Sequence, residues 1–208
     1  TGKARLAGVL GWPVAHSRSP ALHNYWLRRY GVDGAYVPLP AAPACFEAAV
    51  RGLQAAGFRG ANVTIPHKEA AYSLADELDE SARRAGAVNT FVFREDGTIL
   101  GLSTDGDGFV ASLEAEGLPP RPRTRALLLG AGGAARSVAA ALQDRGVEVC
   151  ITNRTQERAT ALAAALPGAD VLPWPVWERD LGAFALLVNT TSLGMEGGPD
   201  PLFSPSLA

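Results

Sequence analysis

Of the 19 basic residues in this 208-residue chain only two are lysines, Lys3 and Lys68. The second closes the run Asn62-Val63-Thr64-Ile65-Pro66-His67-Lys68. A chain that uses arginine for nearly all of its positive charge keeps, at this internal position, the basic side chain whose amine can lose its proton. Lys68 is therefore the first candidate for proton transfer. Asn62 and Thr64, two residues apart at a strand end, share one face, and Pro66 can open a helix that places Lys68 in its first turn. A cation there opposes the helix dipole by roughly 0.3–1 kcal/mol, which a nearby carboxylate would offset. Asp105, flanked by Thr104 and Gly106 at an expected strand end, is the candidate partner; an Asx turn is the competing reading. Asn89 interrupts the apolar stretch Ala87-Val88-Asn89-Thr90, and a buried amide requires either a structural partner or a ligand.

A second group of residues is suited to anions. In His16-Ser17-Arg18-Ser19-Pro20 the pair Ser19-Pro20 reads as an N-cap and first helical residue. Ser17 is not needed for that start, and two hydroxyls two residues apart at a helix N-terminus make a compact carboxylate site. The run Gly130-Ala131-Gly132-Gly133-Ala134-Ala135 stands between an apolar strand and a helix, the setting in which a glycine loop brings backbone N–H groups to a pyrophosphate. Ala135 replaces the last glycine of the usual pattern and still permits close packing of helix on strand. At the end of the following strand, where NAD enzymes place an acid against the ribose 2′-hydroxyl, the chain has Asn153-Arg154-Thr155. Arg154 can pair with a 2′-phosphate, and Asn153 and Thr155 can donate hydrogen bonds to it, so NADP is favoured over NAD. Thr190, Ser192 and Met195 follow a strand end and complete the expected cofactor set, Met195 serving either as a soft surface for a nicotinamide ring or as core filler.

The elements that must hold these groups alternate. Strands are expected at 5–10, 35–39 and 60–65 and helices at 20–30, 43–56 and 66–78, an α/β layer with a largely parallel sheet. Strand-like runs at 87–93 and 98–102 flank Asp96-Gly97, a hairpin signal, and a helix is expected at 108–115. After the break at Gly117, Pro119, Pro120 and Pro122 the pattern restarts: strands at 125–129, 147–152, near 171 and at 185–189, helices at 134–145 and 156–166. Two domains are the better parse, residues 1–106 for the substrate and catalysis and 107–208 for the nucleotide. The second domain looks incomplete against a doubly wound nucleotide fold.

The net charge of −2 and pI near 5.9 offer no footprint for nucleic acid or an anionic membrane. No stretch reaches the ~20 apolar residues of a membrane span, and the glycines and Pro13 in the first apolar run argue against a secretory leader. Cys45 and Cys150 form no redox or disulfide framework, which fits a reducing, cytoplasmic setting. His16, His23 and His67 lack metal-ligand spacing. A homodimer is compatible with the sequence, which does not specify an oligomeric state.

Taken in order, these motifs resemble the shikimate dehydrogenase family over nearly the whole chain: residues 11–24 with Ser17 and Ser19, Asn62 to Lys68, Ala87 to Thr90, Thr104-Asp105-Gly106, Gly130 to Ala135, Asn153 to Thr155 and Asn189 to Met195. The resemblance implies an N-terminal α/β substrate domain joined to a Rossmann-like NADP-binding domain. It also implies NADPH-dependent, reversible reduction of 3-dehydroshikimate to shikimate in aromatic amino-acid biosynthesis. Ser17 and Ser19 would hold the substrate carboxylate. Thr64, Lys68, Asn89 and Asp105 would surround the ring hydroxyls and the reacting oxygen, with Lys68 and Asp105 as the catalytic pair. Two departures stand out: Ser103 occupies a position where the family usually has Asn, and the family's later elements, including a substrate-contacting Gln, lie beyond these 208 residues, so weak substrate binding is expected of them alone. Rival readings are a quinate/shikimate dehydrogenase using NAD, disfavoured by Asn153, and a noncatalytic NADP-binding sensor, disfavoured by the presence of both Lys68 and Asp105.

Overall fold

The structure, a computed structural model, describes residues 1–194. Its first half runs β1 (Arg5–Gly11), α1 (Ser19–Arg29), β2 (Gly34–Pro40), α2 (Phe46–Ala55), β3 (Gly60–Val63), α3 (Lys68–Leu74), β4 (Glu77–Leu78), α4 (Glu80–Ala85), β5 (Thr90–Phe93) and β6 (Ile99–Leu102). These strands form one sheet in the order β2-β1-β3-β5-β6-β4. β1 is parallel to β2 and β3, whereas β5 is antiparallel to β3 and β6. The Asp96-Gly97 hairpin therefore makes the sheet mixed, and the Asp96 carboxylate sets its turn by accepting the Thr98 N–H at 2.9 Å.

Three local expectations change. The helix expected to reach Leu78 stops at Leu74, because Asp76 exchanges bonds with Ile99, through its own N–H and through its carboxylate, and draws residues 77–78 onto the edge of β6. Pairing with a sheet edge outweighs one more helical turn. Next, α4 is a helix that the apolar periodicity did not show; Asp79 caps it by accepting the Ala82 N–H at 2.8 Å, and Gly86 ends it in the left-handed conformation. The third change concerns Asp105. Helix α5 (Asp105–Ala115) starts three residues earlier than expected, so Asp105 stands in the first turn of a helix rather than at a strand end, with Asp107 beside it; negative charge is favoured there. The division expected between residues 106 and 107 thus falls inside α5.

The second half continues with β7 (Arg125–Leu129), α6 (Gly133–Gln143), β8 (Glu148–Thr152), α7 (Gln156–Ala165), β9 (Asp170–Val171) and β10 (Leu186–Asn189), a parallel sheet in the order β10-β7-β8-β9. Ala126, Leu127, Leu128 and Leu129 are fully buried, as a central strand covered on both faces requires. Leu128 meets α6 and α7 on one face, while Leu127 and Leu129 meet Trp177 from the 3₁₀ segment Trp174–Ala183 on the other. The chain order reverses between β10 and β7, which opens a crevice at their carboxyl ends, where α/β sheets take ligands.

The halves meet along α5 and α6. At Gly106 a Cβ would fall on the Ser137 carbonyl and 2.8 Å from Ala141 Cβ, so the two helix backbones touch. Ser103 and Ser137, both buried, share a hydroxyl hydrogen bond of 2.8 Å beside that contact. Arg84 of α4 pairs with Asp144 just past α6 at 2.7 Å.

Candidate active site

α3 begins at Lys68. Its geometry is fixed from both sides, since the Lys68 carbonyl accepts the Val88 N–H at 2.9 Å and the preceding His67 is buried, bonded through Nε2 to the Ala41 carbonyl at 2.8 Å and stacked on Phe46. The amine leaves the helix and meets the Asp105 carboxylate, Nζ to Oδ2, at 2.5 Å. The lysine side chain is 14% exposed and the carboxylate 31%, so this pair faces an opening but sits mostly out of water.

Asn89 organises the other carboxylate oxygen. Its amide donates to Asp105 Oδ1 at 2.8 Å and to Thr104 Oγ1 at 2.9 Å, while its Oδ1 accepts the Thr104 N–H at 3.1 Å and the Thr90 hydroxyl at 2.9 Å. Every polar atom of this buried amide has a protein partner, and one of those partners is the Asp105 carboxylate. The row continues across the sheet. Asn62, the register partner of Thr90, donates to its hydroxyl at 3.0 Å and accepts from the Tyr36 hydroxyl at 2.7 Å.

Tyr36 is the member of this row that sequence reasoning missed. Burial pushes its phenol up to about 12, against which the hydrogen bond from Ser19 works in the opposite direction. Its ring stacks on His23 at 4.1 Å, and burial lowers the pKa of that imidazole. The signal in the sequence was a lone tyrosine in an apolar strand facing the same end as Asn62, too common a pattern to single out. Ser19 opens α1, and Ser17 Oγ accepts the Ser19 N–H at 3.3 Å. The expectation that Ser17 has no part in the helix start is thus corrected: it supplies the cap-like bond, while Ser19 is the first helical residue and turns toward Tyr36. Thr64 directs its methyl against Gly11 at the same end of the sheet.

The second constellation lies at the carboxyl ends of β7, β8 and β10. A groove of about 300 Å³ is lined by Gly130, Ala131, Gly132, Asn153, Arg154, Arg158, Trp174, Thr190 and Ser192, among others. The backbone at Gly132 is open, with nothing within 4 Å of the place a Cβ would take, which fits a pyrophosphate, and the exposed Arg154 fits a phosphate on the ribose. Arg158, in the first turn of α7, adds a second guanidinium to the groove; it carries the same signal as Arg154, four residues later, but was not expected. Gly133, Ala134 and Thr155 do not line the groove. The Asn153 amide donates to the Thr155 carbonyl at 2.9 Å, shaping the turn, and the Thr190 hydroxyl donates to the Leu129 carbonyl at 2.8 Å. Met195 lies outside the described residues. Among the described residues no cluster of His, Cys, Asp or Glu could hold a metal ion, and no helix is long and apolar enough to cross a membrane. A larger cavity, about 630 Å³, lies between α1 and the first sheet, lined by Trp26, Tyr30 and Val92; of the residues described above it takes in Tyr36 and His23 but not the Lys68–Asp105 pair.

This geometry has known relatives. Residues 9–91 match the family model described as shikimate dehydrogenase substrate binding domain, and residues 115–192 match the one described as shikimate / quinate 5-dehydrogenase. Shikimate dehydrogenase (NADP(+)) of Gluconobacter oxydans is 58% identical over 94% of this chain, which spans 69% of that protein. Among solved structures, shikimate dehydrogenase from Aquifex aeolicus superposes with a TM-score of 0.90 at 36% identity, over 100% of this chain and 76% of that one. The Thermus thermophilus enzyme in complex with NADP(H) and shikimate gives 0.81 at 40% identity, over 95% of this chain and 73% of that one. With a paired amine and carboxylate beside a glycine-loop groove, and with relatives of this closeness along both halves, the chain belongs to the shikimate dehydrogenase family.

Proposed function

We infer that the protein catalyses the NADPH-dependent, reversible reduction of 3-dehydroshikimate to shikimate, a step of aromatic amino-acid biosynthesis. The observation that carries the reading is the Lys68–Asp105 pair, largely withdrawn from water and held by Asn89. NADPH, when bound in the groove, supplies the hydride for the carbonyl carbon. The residues of the chain do the rest. Arg154 and Arg158 receive the ribose phosphate, and the backbone at Gly130 to Gly132 receives the pyrophosphate.

On the substrate side, Ser17 and Ser19 at the N-terminus of α1 donate hydroxyl hydrogen bonds to the carboxylate. Thr64 and Asn89 flank the ring, Asn89 with its amide already committed to Asp105. Lys68 and Asp105 deliver the proton that the reduced oxygen needs, acting as one hydrogen-bonded unit. In the reverse direction the same pair removes the hydroxyl proton as hydride leaves. The partner implied is a small molecule; Thr190 and Ser192 border the cofactor in this proposal.

The test follows the absorbance of NADPH as it is oxidised with 3-dehydroshikimate as substrate, using the parent protein and Lys68→Ala. Loss of a positioned proton donor lowers kcat by roughly 10²–10⁴-fold. A variant that keeps the parent rate would remove the pair from the mechanism.

A further inference from the structure

The two glycines in the middle of the loop face different neighbours. A Cβ at Gly132 would meet nothing within 4 Å, and the residue borders the groove. A Cβ at Gly133 would stand 2.7 Å from Lys68 Cβ and 3.0 Å from Lys68 Cδ, and its three nearest atoms all belong to the stem of that lysine. Gly133 is not among the residues that line the groove. Nor does its backbone ask for glycine: its φ is not positive, and as the first residue of α6 it would serve the helix better as alanine. The remaining reason for a missing side chain is Lys68.

We propose that Gly133 is a positioning residue for the catalytic amine: the alkyl stem of Lys68 rests on the bare α-carbon of Gly133, so the turn that carries the cofactor also sets the reach of Nζ to Asp105. Neither side of this contact can yield easily. Lys68 Cβ is rooted in a backbone whose carbonyl is bonded to Val88. Across the contact, the Gly133 carbonyl accepts the Ser137 hydroxyl at 3.1 Å, and Ser137 is joined to buried Ser103 at 2.8 Å, which braces the first turn of α6 against the start of α5. A methyl group at 133 would push the lysine stem rather than the helix, and the amine would lose its place against the carboxylate. The inference rests on the reading of Lys68 and Asp105 as the proton-transfer pair.

The experiment compares Gly133→Ala, Gly132→Ala, Lys68→Gly and the double variant Lys68→Gly/Gly133→Ala in the full chain, measuring kcat with NADPH and 3-dehydroshikimate, NADPH affinity by fluorescence titration, and the thermal midpoint. Gly133→Ala is expected to lower kcat by roughly 10–100-fold, the scale of an ångström misplacement of a reacting group, while NADPH affinity stays near the parent value. Gly132→Ala, with its methyl in the groove, weakens NADPH binding instead. The drop in thermal midpoint caused by Gly133→Ala disappears when Lys68 is glycine, because the colliding stem is gone, and if Gly133→Ala alone does not fold, the double variant regains folding. Two results would overturn the proposal: a Gly133→Ala protein that loses NADPH affinity but keeps kcat, or one whose stability loss is the same with and without the Lys68 stem. The midpoint coupling does not depend on turnover. A rate unchanged in Lys68→Ala would therefore remove the catalytic reading while leaving the steric contact measurable, and the two failures are distinguishable.

Discussion

At the scale of single residues, the site consists of one charged pair and a row of neutral groups that hold it. Lys68 was legible as chemistry because it is a lone internal lysine in a chain that otherwise uses arginine, and Asp105 because of the motif around it and its place after the hairpin. Tyr36 was not legible, since its role comes from a partner in another strand, Asn62, that only folding brings to it. Its phenol is held neutral by burial and raised to about 12. The folded protein therefore keeps this proton where the unfolded chain has released it, so the stabilisation is complete below about pH 10 and is lost as the pH climbs from about 10 to 12. Tyr36→Phe should flatten that part of the stability curve, measured as urea midpoints across the alkaline range; an unchanged slope would place the alkaline loss elsewhere. His23 beside it works with the opposite sign: burial favours its neutral form, so its contribution is present at neutral pH and fades as acid protonates it.

At the scale of elements, periodicity found most strands and helices, because alternation and apolar runs are properties of consecutive residues. It failed where a short element owes its existence to a neighbour. β4 exists because Asp76 bonds to Ile99, and α4 is six residues held by an aspartate cap and a left-handed glycine, too short for an apolar stripe to register. The start of α5 belongs to the same class. Gly106, expected beside a strand end, proves to be a helix residue whose missing side chain lets α5 lie against α6. Gly106→Ala should cost about 1–3 kcal/mol, the usual penalty for overpacking a close contact, and chemical denaturation would show it. An alanine tolerated at full stability would mean that the two helices separate readily. The Ser103–Ser137 bond answers a question the sequence raised about Ser103: its short side chain is matched by another short one across the interface.

At the scale of the whole molecule, charge is locally arranged rather than global. A net charge of −2 gives no long-range attraction for an anionic cofactor, so we propose that selectivity for NADPH comes from Arg154 and Arg158, which line the groove. Both guanidiniums are exposed, and Arg158 also lies 3.5 Å from the Glu69 carboxylate. Added salt should therefore raise the KM for NADPH much more than that for NADH, because the screened interaction is with the 2′-phosphate that only NADPH carries. Equal salt dependence for the two cofactors would count against the arginine pair. That the chain builds two sheets was visible in the sequence, because the strand-helix pattern restarts after a proline-rich break, but the seam was not: α5, α6 and α3 interlock through glycines and serines that carry no pattern of their own.

The row Tyr36, Asn62, Thr90, Asn89 and Asp105 has one more consequence. Its members stand on β2, β3, the first residue of β5 and the residue before it, and the start of α5, and Asn62 faces Thr90 as a register pair. Neighbouring strands are spaced by about 4.8 Å, a length fixed by backbone hydrogen bonds rather than by side chains. The sheet thus works as a ruler. In the proposed function, the span between the serine end and the proton-transfer end is counted in strand spacings, so exchanging one rung changes what is touched there but leaves that span intact.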